Sequence, residues 1–102
     1  MASSKEFKDY LLEQFKKIGN ITYKSMMGEF LLYYNGILFG GIYDDRLLIK
    51  ITSSNEFFSL KKHIPYLNAK PMYLVDNIDD VEYIKKIIIT TFNDLIKNKK
   101  GL

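Results

Sequence analysis

Residues 30–52, FLLYYNGILFGGIYDDRLLIKIT, contain two tight-turn signals that divide a mostly apolar run into three short strands. The first signal is Asn35-Gly36 and the second is Asp44-Asp45. Asn-Gly is the strongest two-residue hairpin signal, because both turn positions need positive φ angles that these residues tolerate best. The segment therefore predicts an antiparallel meander, and the rest of the chain has to fold around it.

The turns also predict which residues lie opposite each other in neighbouring strands. In a hairpin the length of the turn fixes the register of the two strands. The predicted partners are Tyr34 with Ile37, Leu32 with Phe39, Phe30 with Gly41, and Tyr43 with Arg46.

This register sorts the side chains of the meander onto two faces. The face predicted to receive the helices is apolar apart from one phenol, and it consists of Leu31, Tyr33, Leu38, Gly40, Ile42, Leu47, Ile49 and Ile51. A solvated opposite face should be mostly polar. That face instead consists of Phe30, Leu32, Tyr34, Ile37, Phe39, Gly41, Tyr43, Arg46, Leu48, Lys50 and Thr52.

The apolar character of this second face predicts that something covers it. Aromatic side chains with basic neighbours are typical of an interface core with a polar rim. The predicted interaction face consists of Phe30, Tyr34, Phe39, Gly41, Tyr43, Arg46 and Lys50. In the alternative, the first helix covers one face of the sheet and the last helix covers the other, and the sequence favours neither arrangement.

The segments around the meander read as helices and two further strands. Helical periodicity predicts an amphipathic helix over residues 4–18, with Ser3 or Ser4 as the N-cap and Gly19-Asn20 at its end. The later predictions are a strand at 21–27, a helix with the body EFFSLKKHI that ends before Pro65, a loop at 64–71, a strand at 72–76, and a long helix at 79–97 capped by Asn77 or Asp79. The order α-β-β-β-β-α-β-α predicts an α+β fold, a two-layer sandwich with an antiparallel sheet.

Length and composition limit the classes of protein that this sequence can encode. At 102 residues the chain has room for one domain, which we place at residues 1–102. It contains no cysteine, which excludes disulfides and thiolate chemistry. No apolar run approaches the ~18 residues of a membrane span, and charges occupy the N-terminus where a secretory leader needs an apolar core. The sequence therefore predicts a soluble, cytoplasmic protein that does not bind membranes.

Few side chains in the sequence are suited to catalysis. His63 is the only histidine, and one histidine without cysteine cannot build a multi-histidine or mixed His/Cys zinc site. Turn chemistry explains Asp44-Asp45. Helix capping explains Asp76, Asp79 and Asp80, although a weak Mg²⁺ or Ca²⁺ contact stays open. We predict no catalytic, cofactor or metal site, and keep as a minor alternative a small-molecule or enzymatic role for Tyr and Lys side chains in a sheet groove.

Lysine doublets in the predicted helices raise a nucleic-acid alternative. The net charge of +3 is small, because acidic residues are interspersed with the basic ones. A solvated helical face explains the doublets more simply, and no recognisable groove-reading motif is present. The candidate contacts in this alternative are Lys16, Lys17, Lys61, Lys62, Lys97, Lys99 and Lys100.

Several blocks of the sequence resemble one known family. They are Tyr23-Lys24-Ser25-Met26-Met27-Gly28-Glu29, Leu32-Tyr33-Tyr34-Asn35-Gly36, Phe39-Gly40-Gly41, Asp45-Arg46-Leu47, Lys50 and Ala69-Lys70-Pro71-Met72-Tyr73. Together they resemble the N-terminal domain of the TfoX/Sxy competence regulators, in which a basic-x-Met-Phe-Gly segment leads into a Leu-Tyr-x-Asp-Gly hairpin. Met27 stands where that family usually has Phe, which is a volume-conserving change.

The resemblance covers nearly the whole chain and implies a stand-alone N-terminal domain, without the C-terminal helical domain of the full regulators. It also implies a role in regulating competence and transcription through protein partners. Our leading hypothesis is therefore a non-enzymatic interaction domain that forms a homodimer or binds a regulatory protein. Weak nucleic-acid binding through the lysines is the alternative.

Overall fold

The structure, a computed structural model, describes residues 4–100, with side chains through residue 97. Its two helices are α1 (Lys5–Ile18) and α2 (Val81–Lys100), and one 3-10 turn spans Asn55–Phe58. The six strands are β1 (Ile21–Met26), β2 (Glu29–Tyr34), β3 (Ile37–Tyr43), β4 (Arg46–Ile49), β5 (Lys61–His63) and β6 (Met72–Val75). Among the described residues, neither helix combines the length and apolar character needed to cross a bilayer.

The strands form one antiparallel sheet in the order β1-β2-β3-β4-β6-β5. Both helices pack on the same face of this sheet, because Leu11 of α1 and Ile88 of α2 belong to one buried cluster with strand residues such as Ile42. The predicted fold class, an α+β two-layer sandwich, is confirmed.

Three two-residue turns join the first four strands, and every residue in them has a positive φ. At Asn35-Gly36 the φ values are 49° and 81°, and at Asp44-Asp45 they are 50° and 56°. The third turn, Met27-Gly28, has values of 52° and 86°. Asn and Asp tolerate this left-handed region better than most residues. Both turns predicted within residues 30–52 are therefore confirmed.

The register between β2 and β3 differs from the prediction after the turn. Tyr34 pairs with Ile37 as predicted, but Leu32 pairs with Gly40 and Phe30 pairs with Ile42. The register shifts between Leu32 and Tyr33, which leaves Phe39 as an extra residue in β3. Such a β-bulge places two residues of one strand opposite one residue of its partner.

The bulge reverses the predicted faces in half of the meander. A shift of one residue moves a strand's side chains to the opposite face. The predicted interaction face is therefore wrong for Phe30, Tyr34 and Phe39, which pack with the helices. Phe39 is completely buried, and Tyr34 contacts Phe92 of α2 with ring centroids 5.0 Å apart.

The helix ends follow sequence signals with one change of residue. The side-chain oxygen of Ser4 accepts a hydrogen bond from the Phe7 amide at 3.2 Å, so Ser4 is the N-cap of α1. Ser3, the other candidate, lies outside the described residues. At α2 the cap is Asp80, whose Oδ1 accepts from the Tyr83 amide at 3.1 Å, rather than Asn77 or Asp79.

The predicted second helix is confined to the short 3-10 turn. Ser59 adopts a left-handed conformation with φ of 53°, which stops the helix after Phe58. Lys61–His63 then pair with β6 as an edge strand. Tertiary pairing with an open sheet edge outweighs the helical propensity of Leu60, Lys61 and Lys62.

A buried polar cluster ties the segment after β4 to α2. Asn55 is fully buried, and its Nδ2 donates to the Lys50 carbonyl at 2.7 Å and to Thr91 Oγ1 at 2.9 Å. Its Oδ1 accepts from the Thr52 amide at 2.9 Å. These bonds satisfy polar groups that would otherwise be costly to bury, and they fix the backbone between Lys50 and Thr52.

Candidate functional site

The face of the sheet opposite the helices carries the candidate site, and we call it the outward face. Residues that pair directly across strands share a face. Gly41 pairs with Leu48, and Leu48 pairs with Leu74, so these residues lie on the outward face, as do Tyr43 and its partner Arg46. Leu48 is completely buried even though both helices lie on the other side.

Arg46 ties the loop at residues 64–71 to this face. Its guanidinium donates two hydrogen bonds to the loop, to the carbonyl of Ile64 at 3.1 Å and to that of Pro65 at 3.2 Å. Its Nε donates to the Tyr43 carbonyl at 3.2 Å. Because Pro65 is itself buried, the loop is anchored against the sheet.

Tyr43 is the aromatic centre of the outward face. Its ring lies over Gly41, where an added Cβ would come within 2.6 Å of the tyrosine Cε2, so a larger residue at 41 would displace the ring. On its other side the ring is 6.1 Å from that of Tyr66 in the loop. Burial raises the pKa of Tyr43, and the neighbouring Tyr66 and Glu29 raise it further. The phenol is therefore a protonated hydrogen-bond donor near neutral pH.

A cavity of about 680 Å³ lies between the outward face and the loop, and we call it the loop groove. Leu38 and Met72 contribute apolar surface to its wall, and Pro65 and Pro71 contribute from the loop. Its polar lining comes from the side chains of Lys50, Tyr43, Tyr66 and Lys70.

The same loop exposes three apolar side chains, which we call the loop ridge: Ile64, Tyr66 and Leu67. Their exposed fractions are 53%, 60% and 87%. A shallower depression of about 500 Å³ borders the ridge and is lined by Glu29 and Arg46 among others. The ridge therefore combines exposed apolar surface with charges of both signs.

The structure brings only part of the predicted interaction face into this site. Tyr43 and Lys50 line the loop groove, Arg46 anchors the loop, and Gly41 lies beneath the Tyr43 ring. The other three predicted members, corrected above, are on the helix side.

The lysines of the nucleic-acid alternative do not form one surface. Lys16 and Lys17 lie in the last turn of α1, which packs beside β1. Lys61 and Lys62 lie on β5, at the opposite edge of the sheet, rather than on a helix as predicted. Lys97 is exposed near the end of α2, and the side chains of Lys99 and Lys100 lie outside the described residues.

The titratable groups considered for catalysis are also dispersed. His63 is on the edge strand β5, paired with Met72. Within the part of the chain that the structure describes, no three His, Asp or Glu side chains cluster in a way that could hold a metal ion. Asp79 accepts a hydrogen bond from the Tyr10 hydroxyl and Asp80 caps α2.

Sequence reasoning missed the loop's contribution to the site. Tyr66, Leu67 and Lys70 were predicted only as part of a proline-bounded loop. The available signal was composition, since a loop with two large apolar residues, Tyr66 and Leu67, between two prolines is unusually apolar for a surface connection. The contact between the loop and Arg46 spans 18 residues of sequence and leaves no local pattern.

Comparison with known proteins identifies one family. A model of the TfoX N-terminal domain matches residues 13–76, which is more than half of the chain and includes all six strands. A search of curated protein sequences finds no match.

Proposed function

The chain belongs to the TfoX N-terminal domain family, and we propose that it is a non-enzymatic regulatory domain of the competence-regulator type that self-associates through the loop ridge. The observation that carries the proposal is the exposure of Ile64, Tyr66 and Leu67 side by side on an anchored loop.

The anchoring of the loop supports binding by this surface. An interface residue costs less free energy to immobilise when its segment is already ordered in the free protein. The two guanidinium bonds of Arg46 and the burial of Pro65 supply that order. Aromatic and aliphatic anchors with a charged surround are typical of interface hot spots.

A second copy of this chain is the partner we propose for the ridge. A twofold interface places the same patch against itself, so charges within the patch can pair across the axis only if both signs are present. Glu29 and Asp44 supply the acidic side of the ridge and Arg46 the basic side. Across a twofold axis the acidic side of one protomer can face the basic side of the other.

We also propose a cytoplasmic location. This location and the non-enzymatic role are supported by the amino-acid composition. The chain has no cysteine and one histidine, which excludes a cysteine nucleophile and a multi-histidine or mixed His/Cys zinc site. Absence of cysteine also suits a reducing compartment. The regulatory role in competence rests on family membership alone.

Sedimentation equilibrium over a range of protein concentrations tests the self-association. We expect the wild-type protein to show a reversible monomer–dimer equilibrium, and Leu67→Asp to weaken it by about tenfold or more, because it buries a charge at the centre of the patch. The control is Phe57→Asp, which places the same charge at another exposed apolar residue, 85% exposed and beside Phe58 of the core.

A wild-type protein that stays monomeric at several hundred micromolar would overturn the dimer, as would equal weakening by Phe57→Asp. In the monomeric case, capture of a different protein by wild-type but not by Leu67→Asp bait would assign the ridge to that partner instead.

A further inference from the structure

We propose that the loop groove is a binding site for a small amphipathic anion, that is, a molecule with an apolar body and one carboxylate, sulfonate or phosphate group. The inference goes beyond self-association, because the groove lies between the loop and the sheet and shares only Tyr66 with the loop ridge, whereas Ile64 and Leu67 do not line it.

The size and lining of the groove suit a small organic molecule. Its volume of about 680 Å³ lies within the range typical of ligand pockets, about 300–1,000 Å³. Its walls are largely apolar, from Leu38 and Met72 on the sheet and from Pro65 and Pro71 on the loop. The adjacent rings of Tyr43 and Tyr66 add an aromatic wall against which a planar body can pack.

The charge of the groove selects an anion. Lys50 and Lys70 both line it, and no Asp or Glu is among its lining residues. Among residues 4–97, whose side chains are described, neither lysine takes part in an ion pair. Two cations beside an apolar cavity whose lining contains no acid favour a ligand that brings one negative group and buries the rest of its surface.

The backbone beneath Lys50 is held in place before any ligand binds. The Lys50 amide donates to the Phe39 carbonyl at 2.8 Å, and the Lys50 carbonyl accepts from Asn55 at 2.7 Å. This position is where the bulge, the end of β4 and the buried polar cluster meet. The lysine therefore projects from a rigid part of the sheet, as precise ligand positioning requires.

The second lysine projects from a constrained loop. Lys70 lies between Ala69, whose amide donates to the Tyr66 carbonyl at 3.0 Å, and Pro71, whose ring fixes its own φ. Tyr43 and Tyr66 also line the groove, and their phenols are hydrogen-bond donors. The groove thus offers one cation and one neutral donor from the sheet side, Lys50 and Tyr43, and one of each from the loop, Lys70 and Tyr66.

A matched pair of probes tests the proposal on the intact chain. The anionic probe is 8-anilinonaphthalene-1-sulfonate, and the control is N-phenyl-1-naphthylamine, which has a similar aromatic body without the sulfonate. Decanoate provides an arm with an aliphatic body. Binding is measured by fluorescence and by amide chemical shifts in two-dimensional NMR.

We expect the anionic probe to shift the amides of Leu38, Lys50 and residues 69–72, and to bind less tightly as salt is raised. The double variant Lys50→Gln/Lys70→Gln should weaken its binding by about tenfold or more, because both cations are lost. The affinity of the neutral probe should change by less than about threefold in the same double variant. Tighter binding of decanoate assigns an aliphatic ligand body, and tighter binding of the naphthalene probe assigns an aromatic one.

The control variant is Lys16→Gln/Lys86→Gln, which removes the same charge from exposed positions on the two helices. The proposal is overturned if this control weakens the anionic probe as much as the groove variant does, or if shifts map outside the groove. It is also overturned if neither anion binds at millimolar concentration. Leu67→Asp, which tests self-association, should leave probe binding unchanged, so the two proposals can fail separately.

Discussion

At the scale of single residues, buried polar side chains hold the segment after β4 against α2. Asn55 connects the end of β4 to α2 through bonds to Lys50 and Thr91. Asp94 of α2 accepts from the hydroxyls of Thr52 and Ser54 at 2.6 and 2.8 Å, and from the Ser54 amide at 2.7 Å. Apart from the bond to Lys50, these contacts join residues that lie 36 to 42 positions apart in the sequence, so no local pattern predicts them.

The variant Asn55→Ala should lower the free energy of unfolding by about 2–3 kcal/mol, because it leaves the buried polar groups that Asn55 contacts without hydrogen bonds. Urea denaturation measures the change. The control Asn93→Ala removes the same side chain at an exposed position of α2 and should change stability by less than about 0.5 kcal/mol. Equal effects of the two substitutions would show that the cluster contributes nothing specific.

Asp94 makes a pH-dependent contribution to stability. Burial alone would raise the pKa of its carboxyl, but hydrogen bonds from Thr52 and Ser54 outweigh that effect and hold the pKa below the ordinary value of 3.8. Its contribution is therefore complete above pH 3.8 and is lost as pH falls through the lower, folded-state pKa.

Accordingly, Asp94→Asn should destabilise the protein by about 1.5–3 kcal/mol near neutral pH, the range for hydrogen bonds to a charged group. The difference from wild type should shrink once pH falls below 3.8. Urea unfolding at a series of pH values measures it, and a difference that stays constant with pH would contradict this account.

At the scale of elements, one extra residue in β3 separates the features of the meander that the sequence predicts correctly from those that it does not. The turns, the strands and the parity of β4 were predicted correctly, because they depend on local chemistry. The bulge at Phe39 was not, and it reversed the assignment of β2 and the start of β3. The nearby Gly40 was the available signal, since glycine within a strand often marks a bulge or a close approach of backbones.

Gly40→Ala should disrupt the pairing of β3 with β4. An added Cβ would lie 2.2 Å from the Leu48 carbonyl oxygen, a backbone atom that cannot move without separating the strands. We expect a loss of roughly 3 kcal/mol or more in the free energy of unfolding.

The matched substitution is Gly36→Ala, where nothing lies within 4 Å but φ is +81°. It should cost about 1–2 kcal/mol from backbone strain alone. Thermal unfolding of both variants tests the ranking, and a smaller effect at residue 40 than at residue 36 would be inconsistent with the close approach.

At the scale of the whole molecule, two helices cover one face of the sheet and a loop covers part of the other. Sequence patterns were sufficient for the fold class, because amphipathic helices and hairpin turns carry strong local signals. They were also sufficient to predict half of the site, which includes Tyr43, Arg46 and Lys50. The loop's share depends on the long-range bonds of Arg46, which no periodicity reveals.

The distribution of basic residues predicts weak interaction with nucleic acid. The lysine pairs of α1 and β5 lie near opposite edges of the sheet. They therefore do not form one continuous surface along which the backbone of a nucleic acid can contact both pairs. In anisotropy titrations with labelled duplex and single-stranded DNA, binding at about 150 mM salt should be weaker than ~100 µM. Tight binding that survives this salt concentration would contradict the prediction.

We propose that the protein self-associates through the loop ridge. Hydrogen–deuterium exchange on protein diluted well below the dimer dissociation constant, and concentrated well above it, locates the interface. We expect slower exchange on concentration in the peptide covering residues 64–71, with no change in the exposed edge strand β1 (Ile21–Met26). Protection at β1 with none at the loop would place the interface at the sheet edge and contradict the account.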